Sequence, residues 1–345
     1  MFRSKTVSAI GIDIGSYSVK CVEITHSKGV IELQRAAIYP VSQASTQAAA
    51  LKTFFETSST PAGRRASLSQ SVRISMAGPS VVIRRITLPI MTHSDLKGAI
   101  HFEAENHLPY AVEECALDFQ ILNQVPNQTM MNVLLVAAKR DFIQERLDML
   151  SQANVQPEII DLDVFCLSNA FEMLSPAAEN RIYGLLNIGH QMSSFTVVQD
   201  KLPFFAREIS YGGLSVTNAL AELKGISAAD AETLKLSRAA DVLDDLKAST
   251  QKAFEPLAEE LKQSIDFCEG ELGEPVPSIG FSGGGAGAFE AAKVLSAAIG
   301  KPVTLWDNLN KMKIAQNVDR KFLEEHSGKL NIAFGMALRG AHASK

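Results

Sequence analysis

The stretch GIDIGSYSVKCVEI, residues 11–24, sets apolar residues in alternation on either side of a small polar elbow, Asp13-Ile14-Gly15-Ser16-Tyr17-Ser18. Two readings fit it: the tight turn of a β-hairpin, and a cradle for phosphate. A short turn with glycine at its centre leaves main-chain N–H groups outside the ladder and pointing the same way, and such nests bind phosphate oxygens. In that reading Gly15 allows the anion to approach, and Ser16 and Ser18 add hydroxyl donors. Lys20 shares a strand face with Ser18 and brings a point charge. Asp13, at the strand end, suits a hydrated Mg2+, which keeps most of its waters and takes only one or two carboxylates.

The elbow recurs. Laying Ile14-Gly15 over Ile188-Gly189 places IDIGSYSVKCVEI on LNIGHQMSSFTVV. Strands expected at 7–12, 19–24 and 31–38 are matched by strand, elbow, strand, turn and strand across YGLLNIGHQMSSFTVVQDKLPFFAREIS, residues 183–210. Two such meanders, each followed by helices, imply two lobes of related architecture that face each other. In a symmetric clamp Gly189, His190 and Gln191 grip the same phosphate chain from the second lobe, and Asn187 stands where the first lobe has Asp13. An amide orients a water or donates to phosphate, but it accepts no proton and brings no charge to a metal.

Between the meanders, a helix is expected at about 46–56. TSSTPAGRRASLSQ, residues 57–70, reads as a loop in which Arg64 and Arg65 are solvated charges. SVRISMAG and SVVIRRITLP are alternating strands on either side of Gly78-Pro79. Thr92 and Asp95 have capping-box spacing, and Leu96, Ile100, Ala104 and Leu108 share one helical face that Pro109 ends. His101-x-Glu103 has the spacing of zinc deaminases, but no Pro-Cys-x-x-Cys follows, so His101, Glu103 and Glu105 read as a polar face. With two further strands and the helix RDFIQERLDMLSQANV, residues 79–155 read as a strand-strand-helix-strand-strand-helix insertion. A long helical region is expected at 228–272, and the tail GKLNIAFGMALRGA as a helix of small apolar residues.

The bulk properties narrow the classes. The chain has 345 residues, 46% of them hydrophobic, and a formal net charge of -5, which opposes a nucleic-acid footprint and an acidic membrane surface. Cys21, Cys115, Cys166 and Cys268 are far apart, with no metal spacing, and read as reduced thiols. The start reaches Asp13 before any signal-like apolar run, and no stretch approaches the ~18 apolar residues of a membrane span. Late in the chain, SGGGAGA fits a dinucleotide fingerprint through Gly283, Gly285 and Ala288, with Asp307 ending the next strand. Too few residues follow to complete a dinucleotide sheet. A nucleotide loop fits better, with the backbone of Gly283, Gly284 and Gly285 against an adenosine and its α-phosphate.

Phosphate elbow at 11–20, second elbow at 187–194 and glycine loop at 280–286, in that order, resemble the actin-like ATPase superfamily. Within it the chain is similar to the PilM-type type IV pilus assembly family. GIDIGSYSVKCVEI, RRITLPIMTHSDLKGAIHFEAENHLPYAVEECALDFQIL, PFFAREISYGG and GFSGGGA with AFGMALRG carry the likeness, which covers nearly the whole chain. It implies an α/β, bilobed actin-like (ribonuclease-H-like) fold. Its subdomains are 1A (1–78), an inserted 1C (79–155), a hinge helix of 1A (156–181), 2A (182–213 and 276–328), 2B (214–275), and a C-terminal helix returning to 1A (329–345).

The resemblance also implies ATP in the cleft, with Asp13, Gly15, Ser16, Tyr17, Ser18 and Lys20 at the phosphates and Mg2+. Gly189, His190 and Gln191 close from the other lobe beside Asn187, and Gly212 and Gly213 follow the family's REI..GG turn. Glu260, Lys262, Gln263 and Ser264 match a Glu-x-x-Arg-Ser stretch near the adenosine, with Gln263 in place of the Arg. Asp163, in DLDVF, takes the hinge-helix position of a water-orienting side chain or serves as a plain helix cap; Asp163 and Asn187 are the catalytic candidates.

The implied partner is the cytoplasmic tail of a PilN-type membrane protein, docked in a 1A/1C groove formed by the third strand and residues from about 80 to 125. Such a partner recruits a cytoplasmic chain to the inner face of the inner membrane, near the PilN–PilO pair and the pilus motor ATPases; self-association stays open. The expectation is an ATP-binding scaffold whose hydrolysis is slow or absent because of Asn187. The alternatives are an FtsA-type filament former, a small-molecule kinase of the same fold, and a GspL-like secretion component. The first usually carries a C-terminal membrane helix, the second needs a catalytic carboxylate that no segment supplies, and the third commonly continues into a membrane span.

Overall fold

The computed structural model describes residues 7–27, 29–42, 45–57, 71–125, 128–175, 181–306, 309 and 312–339; Arg64, Arg65 and Asp307 lie outside them. Alternation along the N-terminal segment yields an antiparallel meander of β1 (Val7–Ile14), β2 (Ser18–Ser27) and β3 (Val30–Pro40). Both faces are buried. Ile10, Ile12, Val19 and Cys21 meet Leu51 and Phe54 of α1 (Gln47–Glu56), while Ala9, Val22, Ile24 and Leu33 point to the centre of the molecule. β4 (Ser71–Met76) lies parallel to β1, and β8 (Ile159–Leu162) parallel to β4. With β14 (Lys313–Ile314) on β3, the order is β14-β3-β2-β1-β4-β8.

The second sheet repeats that plan. β9 (Ile182–Ile188), β10 (Ser193–Gln199) and β11 (Leu202–Ile209) form the meander, and β12 (Ile279–Ser282) and β13 (Val303–Leu305) follow in parallel, in the order β11-β10-β9-β12-β13. A third, antiparallel sheet has the order β5-β7-β6, from β5 (Val81–Pro89), β6 (Cys115–Gln124) and β7 (Met130–Lys139). α2 (His93–Glu105), capped by Thr92, covers it with Leu96, Ile100 and Ala104.

Here the sequence expectation is corrected. The strands flanking Gly78-Pro79 do not belong together: β4 joins the six-stranded sheet and β5 the three-stranded one. Beyond residue 79 the order is strand, helix, strand, strand, helix. The difference is physical: Arg73, Ile74, Ser75 and Met76 are buried in succession, as in a central parallel strand, whereas β5 exposes Arg84, Arg85 and Thr87.

Two helices fill the space between the large sheets. α4 (Asp163–Leu174) sets Leu167, Ala170 and Phe171 beside Tyr183, Leu185 and Val198, and α10 (Asn331–Leu338) sets Ala333, Phe334 and Ala337 beside Ala9, Val22 and Ile24. Their approach is at backbone distance. A Cβ on Gly335 would fall 1.7 Å from the Cys166 carbonyl oxygen, and one on Gly11 2.0 Å from that of Ala333.

Outer helices complete the layers. α3 (Arg140–Gln152) joins α1 on the first sheet through Leu150. On the second sheet lie α5 (Gly213–Lys224), α7 (Leu243–Leu272) and α8 (Ala291–Ile299). The helical region expected at 228–272 is broken: α6 (Ala228–Ser237) ends at Arg238, whose φ of 49° turns the chain before α7 begins. α9 (Arg320–His326) precedes α10. All four cysteines are buried and free. Among the described residues no helix is long and apolar enough to cross a membrane.

Candidate nucleotide site

The first elbow is a hairpin turn. Asp13 and Lys20 face each other in the β1–β2 register, and Lys20 Nζ donates to Asp13 Oδ2 at 2.8 Å in a nearly buried pair. The Gly15 N–H is spent on the Ser18 carbonyl at 3.1 Å, and the Gly15 carbonyl accepts from the Gln47 amide at 2.9 Å. Gly15 thus closes the turn and is not itself a phosphate donor. Ser16 and Tyr17, both exposed, form the tip, and Ser18 is buried behind them.

The second elbow is built the same way, with the Gly189 N–H donating to the Met192 carbonyl at 2.9 Å. The correspondence holds residue by residue. Asp13 lies between Lys20 on β2 and Ser75 on β4, while Asn187 lies between Ser194 on β10 and Ser282 on β12. One lobe therefore carries an ion pair where the other carries neutral groups. The elbows meet through the rings of Tyr17 and His190, 4.9 Å apart. Burial lowers the His190 pKa; burial and the neighbouring Glu232 raise that of Tyr17. Glu232, on α6, is ion-paired with Lys235 at 2.7 Å.

Two glycine loops converge behind the second elbow. The N–H groups of Gly213 and Leu214 donate to the carbonyls of Gly189 and His190 at 2.9 and 2.8 Å. A Cβ on Gly212 would sit 2.5 Å from the His190 carbonyl oxygen, one on Gly283 2.3 Å from that of Ile188, and one on Gly285 2.3 Å from the Ile188 side chain. Gly283 also has φ +98°. Gly284 differs, since a Cβ there would meet nothing within 4 Å. Of the three expected adenosine glycines, two serve close backbone packing and Gly284 faces outward.

Two cations at this place escaped the sequence reading. Gly283 N–H donates to the Gly328 carbonyl at 2.9 Å, which sets Lys329 beside the loop. Burial, then Arg238 and Lys20, lower the Lys329 pKa, so the three cations share one neighbourhood. Ser327-Gly328-Lys329, a lysine directly after a glycine, was the available signal.

The carboxylates gather deeper. Asp163, the first residue of α4, is pushed up to about 7 by burial and by Asp13, with the Ser75 hydroxyl, Lys20 and Arg146 opposing. The Ser75 hydroxyl is buried and near enough to act on that carboxyl without the geometry of a formed hydrogen bond. Glu208 on β11 is pushed up to about 8, first by burial and then by Asp163, and accepts from Ser194 Oγ at 2.9 Å. Glu208 was also missed, because a glutamate in the REI segment looks like any strand-surface charge.

Glu260 and Gln263 are not brought to this place. Arg207 donates to Glu260 at 2.7 Å and to Ser264 at 3.1 Å. Arg207 points to the opposite face of β11 from Glu208, so Glu260 lies behind the sheet; Gln263 is exposed. α7 comes to the glycine loop near Lys247, which pairs with Glu290 at 3.2 Å, about 20 Å of helix from Glu260. Matching the motif by spacing alone overlooked the break at Arg238. His101 is on the polar face expected for it, 3.7 Å from Glu113.

The family model for the type IV pilus assembly protein PilM matches residues 11–341. The chain belongs to the PilM family. A role in type IV pilus assembly goes with that membership. Among solved structures, the PilM–PilN type IV pilus biogenesis complex is similar with a TM-score of 0.79 at 22% identity, over 96% of this chain and 98% of that one. The ethanolamine utilization protein EutJ from Carboxydothermus hydrogenoformans gives 0.52 at 11% identity, over 98% and 90%. MreB5 of Spiroplasma citri bound to ADP gives 0.51 at 8%, over 95% and 94%. These likenesses establish a bilobed actin-like fold for the chain.

Proposed function

We propose that this PilM-family protein is a nucleotide-dependent scaffold whose interlobe cleft holds Mg-ATP. The observation that carries the reading is that two pseudo-equivalent elbows meet at Tyr17 and His190, that the 283–285 loop packs against the second of them, and that Lys20, Arg238 and Lys329 lie within electrostatic reach of one another. The site fits a polyphosphate: the tip of the first elbow is exposed, Gly284 is open, and Arg238 and Lys329 bring positive charge beside the loop. The MreB5 structure, a fold relative bound to ADP, supports the same choice. Bound ATP would supply a γ-phosphate for the elbows to grip and for any hydrolysis. For Mg2+ the fit is narrower. Among the described residues no trio of His, Cys, Asp or Glu is placed to hold a metal, so Asp13 would act through water on an ion carried by the phosphates.

Asn187 offers no proton acceptor where a carboxylate would face Asp13, and hydrolysis slower than ~0.1 per second, below the usual enzyme range, is the expected consequence. The output is a docking surface. PilN is the partner in the similar complex; in this reading a PilN-type cytoplasmic tail lies between the first lobe and the 80–125 segment, and ties the chain to the inner face of the inner membrane and to the pilus motor. Lys313 and Ile314 of β14 already pair with Glu32 and Leu33, so among the described residues the 36–40 half of β3 is the part left for an added peptide strand in this reading. Titration calorimetry with Mg-ATP and with a peptide copied from the N-terminus of the neighbouring PilN-type protein, on wild type and Asp13→Ala, tests the reading. Binding of both to wild type supports it, and loss of peptide binding in the variant shows that cleft and groove are coupled. Binding of neither overturns it.

A further inference from the structure

One edge of the first sheet is used neither by the elbows nor by the glycine loop. β14 pairs with β3 through two residues and stands last in the six-stranded sheet. The Ala315 N–H donates to the Leu33 carbonyl at 3.0 Å. Main-chain groups alternate in direction along a strand, so Lys313 and Ala315 turn theirs to β3, and Ile314 turns its N–H and C=O outward. Among the described residues neither of those two groups meets a main-chain partner.

Beside this edge lies a cavity of about 710 Å³, within the size range of ligand sites. Its walls are β14 and α9, with Glu32 of β3. The floor is apolar: Leu309, Met312 and Leu323 line it, and all three pack in the central cluster that holds Trp306. The rim carries both signs, Lys313 and Arg320 against Glu32 and Glu324. Glu32 accepts from the Gln34 amide at 2.9 Å. Among the described residues none of the four rim charges has an ion-pair partner.

Each of these features selects among ligands. A rim of both signs gives a simple anion or an acidic lipid surface as much repulsion as attraction, whereas a ligand that itself carries both signs is met at both. An open strand edge takes an extended peptide as a further strand, with main-chain bonds supplying affinity and pockets for alternate side chains supplying specificity. Arg320 and Glu324 are one turn apart on α9, about 6 Å along its axis, and side chains two positions apart on a strand are about 7 Å apart. An acidic residue followed two positions on by a basic one, or the reverse, therefore spans the pair.

We propose that the groove between β14 and α9 is a second peptide-binding site. It takes an extended segment of a partner protein that pairs with the Ile314 main chain, seats an apolar side chain on Leu309, Met312 and Leu323, and offers opposite charges to Arg320 and Glu324. The site lies one strand further out than the 36–40 half of β3, and it does not rest on the nucleotide reading.

The probe is a phage library of random octapeptides selected on the full chain. Selected peptides should share apolar residues at alternate positions with an acidic and a basic residue between them. Fluorescence anisotropy of a labelled selected peptide should show binding at least tenfold weaker to Ile314→Pro and to Arg320→Glu. Proline is tolerated on an edge strand whose N–H faces solvent, so Ile314→Pro removes the outward donor and leaves the bonds to β3. Ile314→Ala, which keeps the donor, should bind at least threefold better than Ile314→Pro. Exchanging the peptide's acidic residue for lysine should restore most of the binding to Arg320→Glu. No common pattern among the selected peptides, or a selected peptide that binds both variants like wild type, overturns the site. Displacement by the PilN-type tail peptide places both on one surface and overturns a second site. Should Ile314→Pro fail to fold, the charge exchange at the exposed Arg320 decides alone.

Discussion

Lys20 and Asp13 face each other on adjacent strands and join at 2.8 Å, while their counterparts in the other lobe, Ser194 and Asn187, carry no charge. Removing one member of a buried ion pair strands the other. Lys20→Met should lower the unfolding free energy by about 3 kcal/mol, and Asp13→Asn in the same chain should return most of it. Urea unfolding of wild type, single and double variants checks this; a double variant no more stable than Lys20→Met removes the pair as the cause.

The asymmetry between the lobes has a kinetic counterpart. Asn187→Asp supplies a carboxylate opposite Asp13, and Mg-ATP hydrolysis should rise at least tenfold, about 1.4 kcal/mol of barrier. Phosphate release measured at saturating ATP decides it. An unchanged or lower rate would mean that Asn187 is not what limits hydrolysis.

Gly335 and Gly11 mark where backbone meets backbone around α10. Gly335→Ala pushes a methyl group onto the Cys166 carbonyl, and overpacking of this kind costs about 3 kcal/mol. Thermal unfolding should show a Tm lower by at least about 5 °C. Gly225→Ala makes a contrasting control, since a Cβ there meets nothing within 4 Å and only the φ of +65° opposes it.

Stability should also respond to pH in a stated direction. Asp163 and Glu208 titrate near 7 and 8 in the fold, against about 3.9 and 4.3 in an unfolded chain. Between those limits the folded state holds more protons than the unfolded one, so stability falls as pH rises from about 4 to 8 and the loss is complete above about 8. Nucleotide-free wild type should therefore resist urea better at pH 6 than at pH 8, with a smaller difference in Glu208→Gln. Equal differences in the two proteins would contradict the shift assigned to Glu208.

Local pattern made much of this legible. Both meanders, the two elbows, the Thr92 cap and the equivalence of Asp13 with Asn187 follow from residue order, because a hairpin joins neighbours in the chain. The pairing of β4 with β1 and not β5 was not legible, since alternation shows a strand without showing which sheet receives it. The same limit explains the site residues. Lys329 and Glu208 are placed by contacts far along the chain, with Gly283 and with Ser194's strand, whereas Glu260 and Gln263 fit a motif by spacing and Glu260 pairs with Arg207 on the other face of β11.

β11 serves two neighbours along one edge. Glu208 accepts from Ser194, Ala206 packs with Met76, Leu162 and Val81, and Arg85 of β5 lies over the Phe204 ring at 4.3 Å. A strand does not stretch, and about 13 Å of backbone separates Phe204 from Glu208. One strand thus ties the Ser194–Glu208 bond to the inserted sheet's Arg85, with no loop between the two contacts.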